Sequence, residues 1–293
     1  NHYLRKGQKM KNRKMVAILG ILSILLLAGC SSLRIGYYWA DWIIVNQIDD
    51  MFDLDSAQTT KVKELVGEFH QWHQKEEIPR LITLLEQVEK KAAGELNKED
   101  LRWMEEESNA MKTRIVAQVA DDISVFLTTL TDQQIDHLET ALKEHNEEEA
   151  EEYAMPLDEW EGERKEKMLD RLDDWFGGFN SVQERELLAA YDVNRTVHMR
   201  YHEQSLVFQK KFVTLLRQKP SAELIKNTLT QWIMEPESVY STEYVEFRNQ
   251  QEAKRVNFFF TVDRMLTETQ RQHALKRLES YRYDFEVIYM SSL

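Results

Sequence analysis

Apolar residues recur at helical spacing along most of this chain, and few stretches show the period-two alternation of a half-buried strand. After Gln58 the apolar positions are Val62, Leu65, Val66 and Phe69, which fall on one helix face. After Asn97, an expected helix cap, they are Leu101, Met104, Met111, Ile115, Val119, Ile123 and Phe126. A longer seam follows Gln183 through Leu187, Tyr191, Asn194, His198, Tyr201, Ser205, Phe208, Phe212 and Leu215. Its alternating steps of four and three predict a helix packed nearly parallel to a neighbour. Glycine and proline number nine and four, too few to punctuate short elements, and Pro79, Pro156, Pro220 and Pro236 mark helix starts or kinks. The expected fold class is all-α, an elongated multi-helix bundle.

Four helix starts share one grammar. Asp55 with Gln58, Thr131 with Gln134, Asn180 with Gln183, and Thr267 with Gln270 each place a capping side chain three residues before a glutamine. In such a box the first side chain accepts from the third helical N–H while the glutamine reaches back to the cap residue. The four boxes occur in the same order twice. The run Asp49-Asp50-Met51-Phe52 before the first is echoed by Asp173-Asp174-Trp175-Phe176 before the third, and the Leu-Thr of the second returns at Leu266-Thr267. An internal duplication accounts for the order. The expected organisation is a first helical half over residues 30–155 and a second over 156–293, joined in the acidic stretch 144–163. A run such as Glu147-Glu148-Glu149 is a solvated helix face.

The first 29 residues differ from the rest. Arg5, Lys6, Lys9, Lys11, Arg13 and Lys14 precede an apolar run over 15–27 that is too short to span a bilayer. It closes on Leu27-Ala28-Gly29-Cys30, and Cys30 is the one cysteine of the chain, which excludes an internal disulfide. Removing residues 1–29 as a signal peptide takes away six basic residues and no acidic ones. The 38 basic and 51 acidic residues of the whole chain then leave a net charge of −19. Such a balance excludes a phosphate-backbone partner, so no nucleic acid is expected. Beyond Cys30, the residues Ile35, Tyr37, Tyr38, Trp39, Trp42 and Ile43 form an apolar stripe. It suits either an interfacial helix or the first core helix, and the absence of basic residues on its polar face favours the core.

These residues carry two resemblances. The Leu-Ala-Gly-Cys lipobox, Tyr38, Ala40-Asp41-Trp42, Asp53-Leu54-Asp55 with Gln58, and Trp72-His73 with Glu77 and Pro79 resemble an uncharacterised family of Gram-negative lipoproteins with a domain of unknown function. That resemblance implies lipidation at Cys30 and a helical fold, and it names no activity. With Ser31 and Ser32 after the cysteine, it also implies the periplasmic face of the outer membrane. The Leu-Thr-x-x-Gln pattern at Leu130 to Gln134 and Leu266 to Gln270 is similar to the repeated motif of the Spy and CpxP periplasmic stress proteins. This second likeness implies holding of unfolded clients or binding of a stress sensor. Asp55 and Asn180 in place of threonine, and Phe179 in place of leucine, depart from that motif.

Enzyme signatures such as HExxH, a Gly-rich phosphate loop, a G-x-S-x-G elbow or a cysteine nucleophile are absent from the sequence. Histidines remain as candidate chemistry. His73 and His198 each lie fifteen residues after a capping glutamine, and His137 and His273 each lie three after one. Matched histidines facing one another could hold a metal or sense pH, or each could bond a helix carbonyl. The expectation is a non-enzymatic protein with no cofactor beyond the lipid on Cys30. It would bind a protein partner or unfolded client as a chaperone-like protein or adaptor of the envelope. The alternatives are a structural scaffold binding through a groove between the halves, or a metal-binding protein or enzyme using the paired histidines.

Overall fold

A computed structural model describes residues 30–293, with side chains from Leu33 onward. The expected signal peptide lies outside the described residues, as does the Cys30 side chain. Helix α1 (Cys30–Tyr38) runs into α2 (Ala40–Phe52), followed by α3 (Ser56–Trp72). A π-helical turn, His73–Glu77, leads without interruption into α4 (Ile78–Ala92). Then come α5 (Lys98–Thr128), α6 (Asp132–Tyr153), α7 (Leu157–Phe176), α8 (Ser181–Ala190) and α9 (Arg195–Arg217). The chain closes with α10 (Ala222–Met234), a 3-10 turn (Pro236–Val239), α11 (Thr242–Met265) and α12 (Glu268–Met290). Among the described residues the fold is all-α, without strands.

Starts and stops follow local chemistry. All four expected capping boxes form, a fifth pairs Asn97 with Asp100, and Asn194, Ser221 and Ser241 cap α9, α10 and α11 with single bonds. Helices α2 and α7 end alike, in a left-handed residue that turns the chain into the next cap: Asp53 at φ 50° and Gly177 at φ 79°. The seam expected after Gln183 is not one helix. It breaks at Tyr191, which turns to ψ 108°, and Asn194 leaves the seam to cap α9 through the Thr196 N–H at 2.9 Å. The apolar spacing runs on across the four non-helical residues 191–194, so periodicity alone does not reveal the break. An asparagine gains more from an orphan helical N–H than from a place in a helix interior.

The cores cross the expected boundary at residue 155. In the largest, Phe52, Leu127, Leu130, Ile135 and Leu138 from α2, α5 and α6 pack with Val213, Leu216 and Ile225 from α9 and α10. Another joins Tyr37 of α1 and Ile78 of α4 to Ile288 of α12. A third holds Met168, Leu187 and Val262 among Phe176, Phe179 and Leu266. The aromatic stripe after Cys30 splits between the two readings. Tyr37 is buried, whereas Ile35, Tyr38, Trp39 and Trp42 remain more than half exposed, while α1 packs on α12 and α2 packs on α3 and α6.

Candidate functional site

The four capping glutamines meet in two pairs. Gln58 Nε2 donates to Gln134 Oε1 at 3.1 Å and Gln134 Nε2 donates back to Gln58 Oε1 at 2.5 Å. Gln183 and Gln270 exchange the same two bonds at 3.0 and 3.3 Å. Each Oε1 also accepts the N–H of its own cap residue, at 3.1 Å for Asp55, 3.0 Å for Thr131, 3.1 Å for Asn180 and 2.9 Å for Thr267. The second Nε2 proton goes to a helix-end carbonyl: Gln58 to Thr129, Gln134 to Asp53, Gln183 to Met265 and Gln270 to Gly178. Two helix N-termini thus meet at each clasp, where positive dipole ends and orphan N–H groups would otherwise repel. All four amides are buried, and a buried amide is tolerated when its donors and acceptor are filled, as here. These motif residues are joints of the scaffold.

The candidate histidines do not converge. His137 Nε2 bonds the Asp50 carbonyl at 3.1 Å and His273 Nδ1 bonds the Trp175 carbonyl at 3.0 Å, so both brace a clasp from outside. His73 Nδ1 lies 3.1 Å from the Tyr37 hydroxyl, and His198 packs edge-on to Trp160 with ring centroids 5.1 Å apart. Burial holds both rings toward the neutral form, His73 down to about 4 against the pull of Glu77. Among the described residues no three His, Cys, Asp or Glu side chains stand together in a way that could hold a metal.

A polar cluster surrounds the π turn. Glu77, 1% exposed, takes a two-pronged bond from Arg114 of α5, at 2.5 Å to Oε1 and 2.9 Å to Oε2, which raises the Arg114 pKa. Gln74 donates to the Ile288 carbonyl of α12 at 2.7 Å, and His70 is paired with Asp41. From the π turn His73 reaches α1, Gln74 reaches α12 and Glu77 reaches α5, and these bonds tie helix to helix.

The surface with room for a ligand lies elsewhere, where α6 packs against α9. An open groove of about 580 Å³ runs between them over an apolar floor of Leu142, Leu206 and Val213. Asn146 and Gln209 bridge it through reciprocal amide bonds of 2.7 and 3.1 Å. One end is pinned where Arg217 of α9 binds both Asp136 and Glu139, the other where His202 Nδ1 meets Glu149 Oε2 at 2.6 Å. Lys143, Lys210, Glu139 and Glu147 give the rim both signs of charge. Beside it, across Lys210 and Thr214, a second groove of about 540 Å³ is lined by Val207, Leu215 and Trp232. Residue-by-residue reading of the sequence missed this surface. The pairing of α6 with α9 is long-range, and the only local trace is the polar Ser205 and Gln209 among the apolar positions of α9.

The sequence profile of a family of unknown function (DUF6279) matches residues 50–245, which takes in α3 to α10, the first clasp and both grooves. No curated protein and no solved structure matches the chain.

Proposed function

The chain belongs to the DUF6279 family of unknown function, and from that premise we propose that it is a protein-binding lipoprotein of the Gram-negative envelope, chaperone-like or adaptor in action. The carrying observation is the pair of open grooves along α9: the one against α6 has an aliphatic floor and a rim of both charges, and the other sets Val207, Leu215 and Trp232 beside Lys210 and Lys211. A segment of another protein could lay apolar side chains on such a floor and pair its own charges with the rim. Leu206 and Val207, 37% and 46% exposed, line one groove each and are the first side chains it would cover.

The tether in this proposal is Cys30, lipidated after removal of residues 1–29, with Ser31 and Ser32 directing the protein to the outer membrane. Several acyl chains would make attachment near-permanent, since each buried methylene contributes about 0.8 kcal/mol. The matched bonds of the two clasps support an internal duplication, and the Leu-Thr-x-x-Gln likeness to Spy and CpxP is accounted for by the clasp. On this reading the groove is where the two copies meet, α6 coming from one and α9 from the other.

The test is aggregation of a denatured client in the presence of the full-length protein in lipid vesicles, at equimolar ratio, with Leu206→Asp as the groove variant. The proposal expects slower aggregation, lost in the variant without a change in thermal midpoint, or else one defined membrane partner whose capture is lost in the variant. No delay together with no partner contradicts it.

A further inference from the structure

The chain enters the fold with almost no slack. Helix α1 is already formed at Cys30, the first described residue, and Leu33 is buried at 3% exposure. Arg34 Nε lies 3.0 Å from the fully buried Asp284 of α12, Tyr37 sits against His73, and the Tyr38 hydroxyl donates to Ser291 Oγ at 3.0 Å. The inner face of α1 is therefore fixed to the body from its first turn. The outer face carries Ile35, Trp39 and Trp42, each 59% exposed, with Tyr38 at its edge, 54% exposed and tied to the body by its hydroxyl. Backbone bonds from the Trp39 N–H to the Ile35 carbonyl and from the Ile43 N–H to the Trp39 carbonyl carry the helix through the α1–α2 junction, so Ile35, Trp39 and Trp42 share one stripe. The Trp39 and Trp42 rings stand edge to face, 6.3 Å apart.

We infer that this stripe is a bilayer-contacting surface, seated in the interfacial layer of the membrane that holds residue 30. The occupant follows from where the chain comes from. Whether the apolar run over 15–27 is removed and replaced by acyl chains or kept, it leaves the membrane at residue 30. The stripe begins five residues later, about 7.5 Å of helical rise. Tryptophan and tyrosine favour the headgroup boundary, where the ring is apolar and its N–H or O–H stays wet. Helix α2 has no lysine or arginine and carries Asp41, Asp49 and Asp50, so contact is apolar in origin, is not strengthened by anionic lipid, and on a zwitterionic surface is insensitive to salt. A face clamped by Leu33, Arg34 and Tyr37 would hold the whole body in one orientation on the membrane instead of letting it swing on a tether. This inference rests on the tether reading of Cys30.

The experiment reconstitutes the full-length protein into zwitterionic vesicles containing phospholipid brominated near the headgroup and measures tryptophan quenching beside flotation. Wild type, Trp39→Phe/Trp42→Phe and Cys30→Ala are compared. The inference expects wild type to float and to be quenched, unchanged by added salt, and the double variant to float with quenching reduced several-fold. A wild type that floats without quenching leaves the tether standing and overturns the stripe. A Cys30→Ala chain that floats and is quenched like wild type upholds the stripe and removes the need for the tether. Failure of wild type to float overturns both. Loss of quenching with appearance of a concentration-dependent dimer identifies a second copy as the occupant and also overturns the inference.

Discussion

At the first clasp the residue after Gln134 is Ile135, 1% exposed, which enters the apolar core with Leu138 and Ile225. At the second, the residue after Gln270 is Arg271, also buried, at 9% exposure, but charged. Its Nη1 donates to the Ala92 and Gly94 carbonyls at 3.1 and 2.6 Å and to Asp263 Oδ1 at 3.0 Å, while Asp263 Oδ2 accepts the Leu96 N–H at 2.9 Å. One clasp is sealed by aliphatic packing and the other by a buried ion pair that also fastens the α4–α5 loop. The capping grammar fixes how two helix starts meet. The next residue decides what the joint is attached to.

The largest effect should come from exchanging the seals. Arg271→Ile leaves Asp263 buried without its cation and should cost about 3–5 kcal/mol, read as a fall in the urea midpoint. Ile135→Arg, which places a charge in an apolar core with no acid to meet it, should do at least as much damage. If Arg271→Ile were neutral, the second seal would be apolar packing after all and the contrast would collapse.

Next comes acid. His73, the first residue of the π turn, has its folded pKa depressed to about 4 by burial. The unfolded chain then binds the extra proton between its ordinary pKa, about 6.5, and that value, so stability is complete above this window and lost as pH falls through it. Up to about 3 kcal/mol should disappear on that limb. His73→Gln should flatten the limb, and His198→Gln, at the matching position of the second region and shifted the same way, should flatten it less. Urea midpoints measured from neutral pH downward decide both.

Gln134→Ala and Gln270→Ala should each cost about 1–3 kcal/mol, because the partner amide is left buried and half satisfied. Double-mutant cycles with Gln58→Ala and Gln183→Ala should show strong coupling in both clasps. Coupling in only one would mean that the resemblance of the joints is geometric and not energetic.

The smallest effect separates the turns before each clasp. Gly177→Ala puts a Cβ 3.0 Å from the His273 ring at φ 79° and should cost about 1–2 kcal/mol. Asp53→Gly relieves a left-handed aspartate but loosens the unfolded chain, and should fall within about 0.5 kcal/mol of neutral. Thermal midpoints are sensitive enough to tell the two apart.

The sequence carried the parts of this structure that depend on residues three or four apart. All four glutamine boxes, the cap at Asn97 and the apolar face of α3 are local, and all are where the spacing puts them, whereas in α5 Ile123 stands 44% exposed and the buried positions are Asp100, Ser124 and Leu127. What the glutamines bond to lay beyond that reach, since their partners are 76 and 87 residues away. The break at Tyr191 stayed hidden because the apolar period runs through it. The α6–α9 groove stayed hidden because residues lining a cleft between helices obey the same pattern as residues packed into a core. The matched histidines were legible as a pattern and misleading as chemistry: His137 and His273 hold helix ends, and His73 and His198 are buried at separate places.

The proposal that α9 carries a protein-binding surface is tested most directly by photo-crosslinking from single positions in native membranes. A crosslinker replacing Leu206 in the groove is compared with one replacing Val182, which is 51% exposed on α8 away from both grooves. The account predicts protein adducts from position 206 that weaken when the rim charge is reversed by Lys210→Glu, and none from 182. Equal adducts from both positions, or none from 206, would contradict it.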